Sequence, residues 1–150
     1  MATKIESFNP AAAGRAPAPQ PAPPRLDGAG RFVVVVDDDP DARDLLCSVL
    51  VPQGFDVATV DSGKECIKIL QRRPVDLLLL DLHMPEMEGM DVLDHVIATW
   101  PKTRVVIVSA FGDWPTYFEA MKKGAVDLLQ KPYSQDELLR VVRVALRQME

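Results

Sequence analysis

Four short polar signatures interrupt an otherwise apolar chain. Asp37-Asp38-Asp39 close the run VVVV, Asp81 closes LLLL, Ser109 follows VVIV, and Lys131-Pro132 follow DLLQ. If those runs are parallel strands, the polar groups collect at their carboxyl ends, where an open sheet leaves a crevice. Carboxylates placed that closely repel one another and stay ionised at neutral pH only with a cation among them. Donors that are all oxygen suit Mg²⁺ or Mn²⁺ rather than zinc. Such an ion lowers the charge barrier between an anionic nucleophile and an anionic phosphate, so that an aspartate can become an aspartyl-phosphate. The ammonium of Lys131 would then neutralise remaining charge, and the Ser109 hydroxyl would donate to a phosphoryl oxygen.

The elements that must position these groups are written in the hydrophobic pattern. Short apolar runs alternate with longer segments of helical period, the signature of a parallel sheet wrapped by helices. Strands are predicted at Phe32 to Val36, Phe55 to Val60, Val75 to Leu80, Arg104 to Val108 and Val126 to Gln130, with helices near 40–52, 63–72, 87–99, 114–123 and 135–148. VVVV and LLLL do not alternate with polar residues, so both of their faces are covered and the sheet is doubly wound. FDVATV is more mixed and reads as an edge strand. Asp39 before Pro40 makes an N-cap and first helical residue, Ser62 with Glu65 and Ser134 with Glu137 have capping-box spacing, and Gly124 ends the fourth helix. Met84-Pro85 and Gly89 read as loop geometry before the third helix.

At 150 residues the chain has room for one domain with a real core. Residues 1–30 are rich in Ala, Pro and Gly without apolar period and read as a disordered, locally extended tail, a spacer more than a proline-recognition ligand. Residues 31–150 form the folded domain. The net charge is −5, and it becomes −6 without the first thirty residues, which speaks against direct nucleic-acid binding. The two cysteines, Cys47 and Cys66, fall in helical apolar patterns and read as ordinary thiols in a reducing cytoplasm. No run is long enough for a membrane helix, and no signal-peptide core is apparent. The expected location is therefore cytoplasmic.

VVVVDDDP, LLLLDLHMPEMEGMDVL, VVIVSAFGD and GAVDLLQKPY stand in order at spacings similar to those of response-regulator receivers of two-component signalling, and with their connections cover about residues 31–148. The likeness is nearest to receivers of nitrogen-regulatory transcriptional activators, which have a similar G-D-x-P-x-x-x-E-A-M-K-x-G-A stretch. The resemblance implies a (βα)5 flavodoxin-like fold in which Asp81 is the phosphoacceptor. Asp38 would ligate Mg²⁺ (or Mn²⁺) directly, Asp37 more through water, and the backbone carbonyl of His83 would complete the protein ligands with Asp81. Ser109 takes the place of the family's Thr or Ser, and Lys131 that of its lysine, with a cis bond to Pro132. The phosphoryl donor would be a sensor histidine kinase or histidine phosphotransfer protein. The domain would be a switch read by another protein, not a turnover enzyme.

The chain departs from the family pattern at three places. Leu128 occupies the position of the switch aromatic, so any switching there lacks a hydrogen-bonding end. His83 and Phe111 flank the path of the water that hydrolyses the aspartyl-phosphate, where two rings would slow it. The fourth helix carries Trp114, Tyr117, Phe118 and Met121 at i, i+3, i+4, i+7. Phe118 and Met121 are expected in the core. Trp114 and Tyr117, where related receivers have smaller residues, are weighed evenly between core and a partner or dimer face on helix 4, strand 5 and helix 5. Two other readings compete: a pseudo-receiver that binds partners without phosphorylation, and a phosphatase, which would want a second aspartate where His83 stands. The absence of an output segment after Glu150 fits a stand-alone receiver or one cut from a longer chain, and the tail tilts the expectation to the first.

Overall fold

The computed structural model describes residue 28 and residues 30–83, 89–110 and 114–147. Five strands form one parallel sheet in the order β2-β1-β3-β4-β5: β1 Phe32–Val36, β2 Asp56–Val60, β3 Leu77–Asp81, β4 Arg104–Ala110 and β5 Asp127–Lys131. Among the described residues five α-helices connect them: α1 Pro40–Leu50, α2 Gly63–Arg72, α3 Gly89–Thr99, α4 Trp114–Lys123 and α5 Gln135–Arg147. A 3-10 turn over Val51–Gln53 ends the first connection, where sequence periodicity had extended the helix to residue 52. The chain winds from β1 outward to β2, then returns across β1 to β3 and onward. The reversal places a crevice at the carboxyl ends of β1 and β3, where ligands collect in open sheets of this kind.

Both faces are covered, as the unbroken apolar runs require. Val33, Val35, Leu77, Leu79, Val106, Val108 and Leu129 pack with Leu46, Val49 and Leu50 of α1 and with Leu138, Val141, Val142, Ala145 and Leu146 of α5. The α5 set follows the i, i+3, i+4, i+7, i+8 stripe that turns one side of a helix toward a sheet. The opposite parity, Val34, Val36, Leu78, Leu80, Val105 and Ile107, packs with α2, α3 and Ala120 of α4. β2 alternates between exposed and half-buried positions, consistent with an edge.

The caps form where their spacing predicts, except for the returning half of the Ser62 box. The Asp39 carboxylate accepts from the amide of Asp41, and the Ser62 hydroxyl from that of Glu65. The reciprocal box forms at Ser134, whose amide donates to Glu137 while the Glu137 amide donates to Ser134 Oγ. Glu65 turns instead to Lys68 at 3.1 Å. Gly124 follows α4 at φ +120°, a left-handed conformation that favours glycine.

Several boundaries move, and β2 and β5 each start one residue later than expected. β3 begins two residues later than expected because the Asp76 carboxylate takes the amide of Phe32 at 2.7 Å, and it ends by including Asp81. β4 and β5 run on to pair Ala110 with Lys131, which places the lysine inside a strand. Gly28, assigned to the tail by composition, is buried: its amide donates to Gln53 O at 3.1 Å, and a Cβ there would collide with the Phe55 amide. Residues 1–27 and 29 lie outside the described residues, as do Met84, Pro85 and Phe111. No helix among the described residues is long and apolar enough to cross a membrane.

Candidate functional site

Asp37 leaves β1 and Asp81 ends β3. Because Val36 is in register with Leu80, the two carboxylates stand side by side at the crevice. Asp37 is 1% exposed and Asp81 7%, whereas Asp38 is exposed. One carboxylate oxygen from each of Asp37, Asp38 and Asp81 can be drawn so that all three lie within 4.8 Å of one another. Lys131 reaches this group from the far edge of the sheet. Its Nζ donates to Asp37 Oδ2 at 2.9 Å and lies 3.7 Å from Asp81 Oδ2. The Lys131–Pro132 peptide is cis.

Two further bonds fix the acids. Asp81 Oδ1 accepts from the amide of His83 at 2.9 Å, and Asp37 Oδ1 accepts from the amide of Asp39 at 3.0 Å. The His83 side chain is exposed. Burial pushes the Asp81 carboxyl above its ordinary range; the His83 amide and Lys131 pull it down, while the neighbouring charge of Asp37 raises it. Burial alone would lower the Lys131 ammonium, but its hydrogen bond to Asp37 and the charges of Asp37 and Asp81 carry it above the usual lysine value. Tyr133 is raised by burial, opposed by Lys131.

Ser109 reaches the same end of the sheet on different terms. It is 3% exposed and shares parity with Val105 and Ile107, so its side chain starts from the face covered by α2, α3 and α4, whereas Asp37, Asp81 and Lys131 share the parity of the α1 and α5 face. Leu128, paired with Ile107, packs half-buried on the Ser109 face.

On α4 the outward stripe differs from the expected one. Ala120 is fully buried and Tyr117 and Met121 are partly covered, so the helix turns its 117–120–121 side inward. Phe118, expected in the core, is 60% exposed, more than Trp114 at 47%. The ring centroids of Trp114 and Tyr117 are 6.0 Å apart and those of Tyr117 and Phe118 5.3 Å, which makes one continuous aromatic patch.

Two neighbours of the acidic group had not been singled out from sequence. Arg43 Nη1 donates to the Asp37 carbonyl at 2.8 Å, and its place four residues after the Asp39 cap was the available signal. Tyr133 lines a cavity of about 430 Å³ with Asp39, Ala42, Leu45, Lys131 and Pro132. A larger cavity, of about 620 Å³, lies at the other end of the sheet around Trp100 and Pro101 and contains none of the acidic cluster. Volume is thus a poor guide to this site, whose groups meet at a shallow rim. Of the cysteines, Cys66 is buried and its thiol is pushed up to about 12, while Cys47 is partly covered.

Comparison with known proteins agrees with this arrangement. The family described as response regulator receiver domain matches residues 33–143. The response regulator protein PilR of Pseudomonas aeruginosa is 36% identical over 114 residues, 76% of this chain and 26% of that protein. The regulatory protein LuxO of Vibrio vulnificus is 40% identical over 113 residues, 75% of this chain and 25% of that protein. A crystal structure of the receiver domain of NtrX from Brucella abortus superposes with a TM-score of 0.74 at 30% identity, covering 77% of this chain and 98% of that one. The chain spans about a quarter of the length of the curated relatives it matches.

Proposed function

This chain belongs to the response regulator receiver domain family, and we propose that it accepts a phosphoryl group on Asp81 from a histidine kinase or a histidine phosphotransfer protein. One observation carries the reading: the buried Asp81 shares a crevice with Asp37, Asp38 and the ammonium of Lys131. The three carboxylates offer only oxygen, close enough for one hard divalent ion, so the donor set fits the Mg²⁺ that the family binds at its acidic pocket. Asp37, Asp38, Asp81 and the backbone carbonyl of His83 would hold it. Bound there, Mg²⁺ or Mn²⁺ supplies charge neutralisation for the incoming phosphoryl oxygens.

The chain's own groups do the rest. An oxygen of Asp81 attacks phosphorus as the donor's phosphorus–nitrogen bond breaks, and the departing imidazole nitrogen keeps the electron pair and takes up a proton. Lys131, held on a strand end, balances the charge of the transferred group. The Ser109 hydroxyl donates to a phosphoryl oxygen after turning toward the crevice from the other face. With the acceptor and its cationic partner both in place, the phosphorylation-dependent reading is favoured over the pseudo-receiver. In this reading the protein is a signalling switch, slowly losing phosphate, and not a turnover enzyme.

The aromatic patch of Trp114, Tyr117 and Phe118 supports a partner or dimer face on α4, β5 and α5. Leu128, half-buried on the sheet face that α4 covers, would report a packing change. The acidic balance argues for a protein rather than nucleic acid as the direct target of this domain, and the whole fits a cytoplasmic location with an Ala/Pro-rich tail ahead of the receiver.

Acetyl phosphate with Mg²⁺, followed by intact mass, tests the reading. The chain should gain about 80 Da, the mass of one phosphoryl group, and Asp81→Asn should not. A wild-type chain that stays at its original mass under those conditions would sink it.

A further inference from the structure

Asp38 offers the exposed carboxylate of the acidic cluster. Among the described residues its side chain has no hydrogen-bond or ion-pair partner, so its aim comes from its backbone. Both peptide groups flanking it are clamped. The peptide joining Asp37 to Asp38 is held by its carbonyl, which accepts from Arg43 Nη1 at 2.8 Å. The peptide joining Asp38 to Asp39 is held by its N–H, which donates to Asp37 Oδ1 at 3.0 Å. Peptide planes are rigid and only the two dihedrals between them are soft, so fixing the planes on both sides of a residue fixes its Cα–Cβ direction, from which only a few staggered rotamers place the carboxylate. Arg43 is itself anchored, since its amide donates to Asp39 O at 3.1 Å in the turn that Asp39 caps.

The geometry points to Arg43 as a positioning residue for the divalent-cation site, acting by clamping the peptide that aims Asp38. This rests on the reading of the acidic cluster as a cation site. A guanidinium placed for its charge alone would weaken cation binding. Its bond goes to a backbone carbonyl, while the Asp37 carboxylate is taken by Lys131 and the Asp39 amide. Arginine suits the task because its fork stays charged and planar, so one donor can hold a carbonyl in a fixed direction. Partners that orient metal ligands without touching the metal are commonly worth about ten- to a hundredfold in metal affinity.

The test titrates Mg²⁺ and Mn²⁺ into the full chain by calorimetry and follows the Asp38 and Asp39 amides by NMR without metal. Arg43→Ala should weaken binding at least about tenfold and displace or broaden both amides, with Arg43→Lys recovering part of each. Val49→Ala, which opens a gap beneath the same helix, should lower stability and leave the affinity alone. If the wild-type chain binds while Arg43→Ala binds within about twofold of it, or if Val49→Ala weakens binding as much, the positioning role is wrong and the cation site stands. If the wild-type chain takes up neither ion, both fall. Should Arg43→Ala fail to fold, Arg43→Met, which keeps the apolar stem and removes the donor, carries the test: an affinity and amide pattern equal to those of the wild-type chain overturn the role.

Discussion

Lys131→Ala tests the electrostatic argument most directly. The Asp37 side chain is 2% exposed and Lys131 34%, so the substitution strands a buried carboxylate while removing a partner that water can partly replace. Breaking a fully buried pair costs about 3–5 kcal/mol, and exposed pairs are worth about 0–1 kcal/mol. One buried and one third-exposed partner place the loss near 2 kcal/mol. Without divalent ions, urea unfolding should show that loss, with a melting temperature lower by roughly 8 °C for a domain of this size. Saturating Mg²⁺ should then shrink the deficit to below about 1 kcal/mol, because an ion among the carboxylates takes over the neutralisation. Linkage adds a second number: a deficit that shrinks by 1.4 kcal/mol requires the variant to bind Mg²⁺ about tenfold more tightly than wild type. A deficit of equal size with and without the ion would refute the idea that ammonium and cation serve the same carboxylates.

Asp81→Asn should stabilise the metal-free domain at pH 7. Its folded carboxyl titrates above the unfolded one, so ionisation costs folding energy once pH rises through the folded value, and the variant's advantage should vanish below the unfolded carboxylate range, as urea melts across pH would show. Gly89→Ala should cost up to about 3 kcal/mol in the same assay. The new Cβ would lie 2.5 Å from Asp81 O and still closer to Leu82 Cα, an overpacking against backbone that cannot swing aside. Replacing Trp114 and Phe118 together by Ser should shift stability by less than about 0.5 kcal/mol and abolish self-association or partner capture measured by sedimentation or pull-down. Unchanged assembly and binding would mean that the patch is not an interface.

The sheet and four of the site's groups were legible because their signals are local. Apolar runs announce strands buried on both faces, and Asp37, Asp38, Asp81 and Lys131 sit where those runs stop. What escaped depends on three dimensions. The helical stripe on α4 holds four large apolar residues at core spacing, yet rotation about the helix axis is set by Ala120 lying against the sheet, and this turns Phe118 outward. Arg43 reads as one more surface cation until its guanidinium is seen on the Asp37 carbonyl. Gly89 carries no chemistry of its own, but its missing side chain lets the start of α3 close against the backbone that presents Asp81. Gly28 looks like tail by composition because its role, backbone pairing to Gln53, needs no side chain.

The parity of the strands constrains how an event at Asp81 could be felt at the aromatic patch. Asp37, Asp81 and Lys131 belong to the face covered by α1 and α5, while Leu128 and α4 lie on the other. Between them the sheet is solid: Leu77–Leu80 and Val105–Val108 are at most 2% exposed, and close-packed layers of this kind do not deform gradually. A signal must therefore go around the carboxyl edge, and Ser109 stands on that edge, one residue beyond the Val108 that pairs with Asp81 and in register with Gln130. Leu128 is two residues below Gln130 on the same parity and packs toward the helices of that face. Leucine has no polar end to exchange hydrogen bonds, so what position 128 can carry is volume: Ser109 turning toward Asp81 would vacate space that Leu128 and α4 could fill, moving the rings of Trp114 and Phe118 relative to β5. At Leu128 itself, such a change could be reported only through packing.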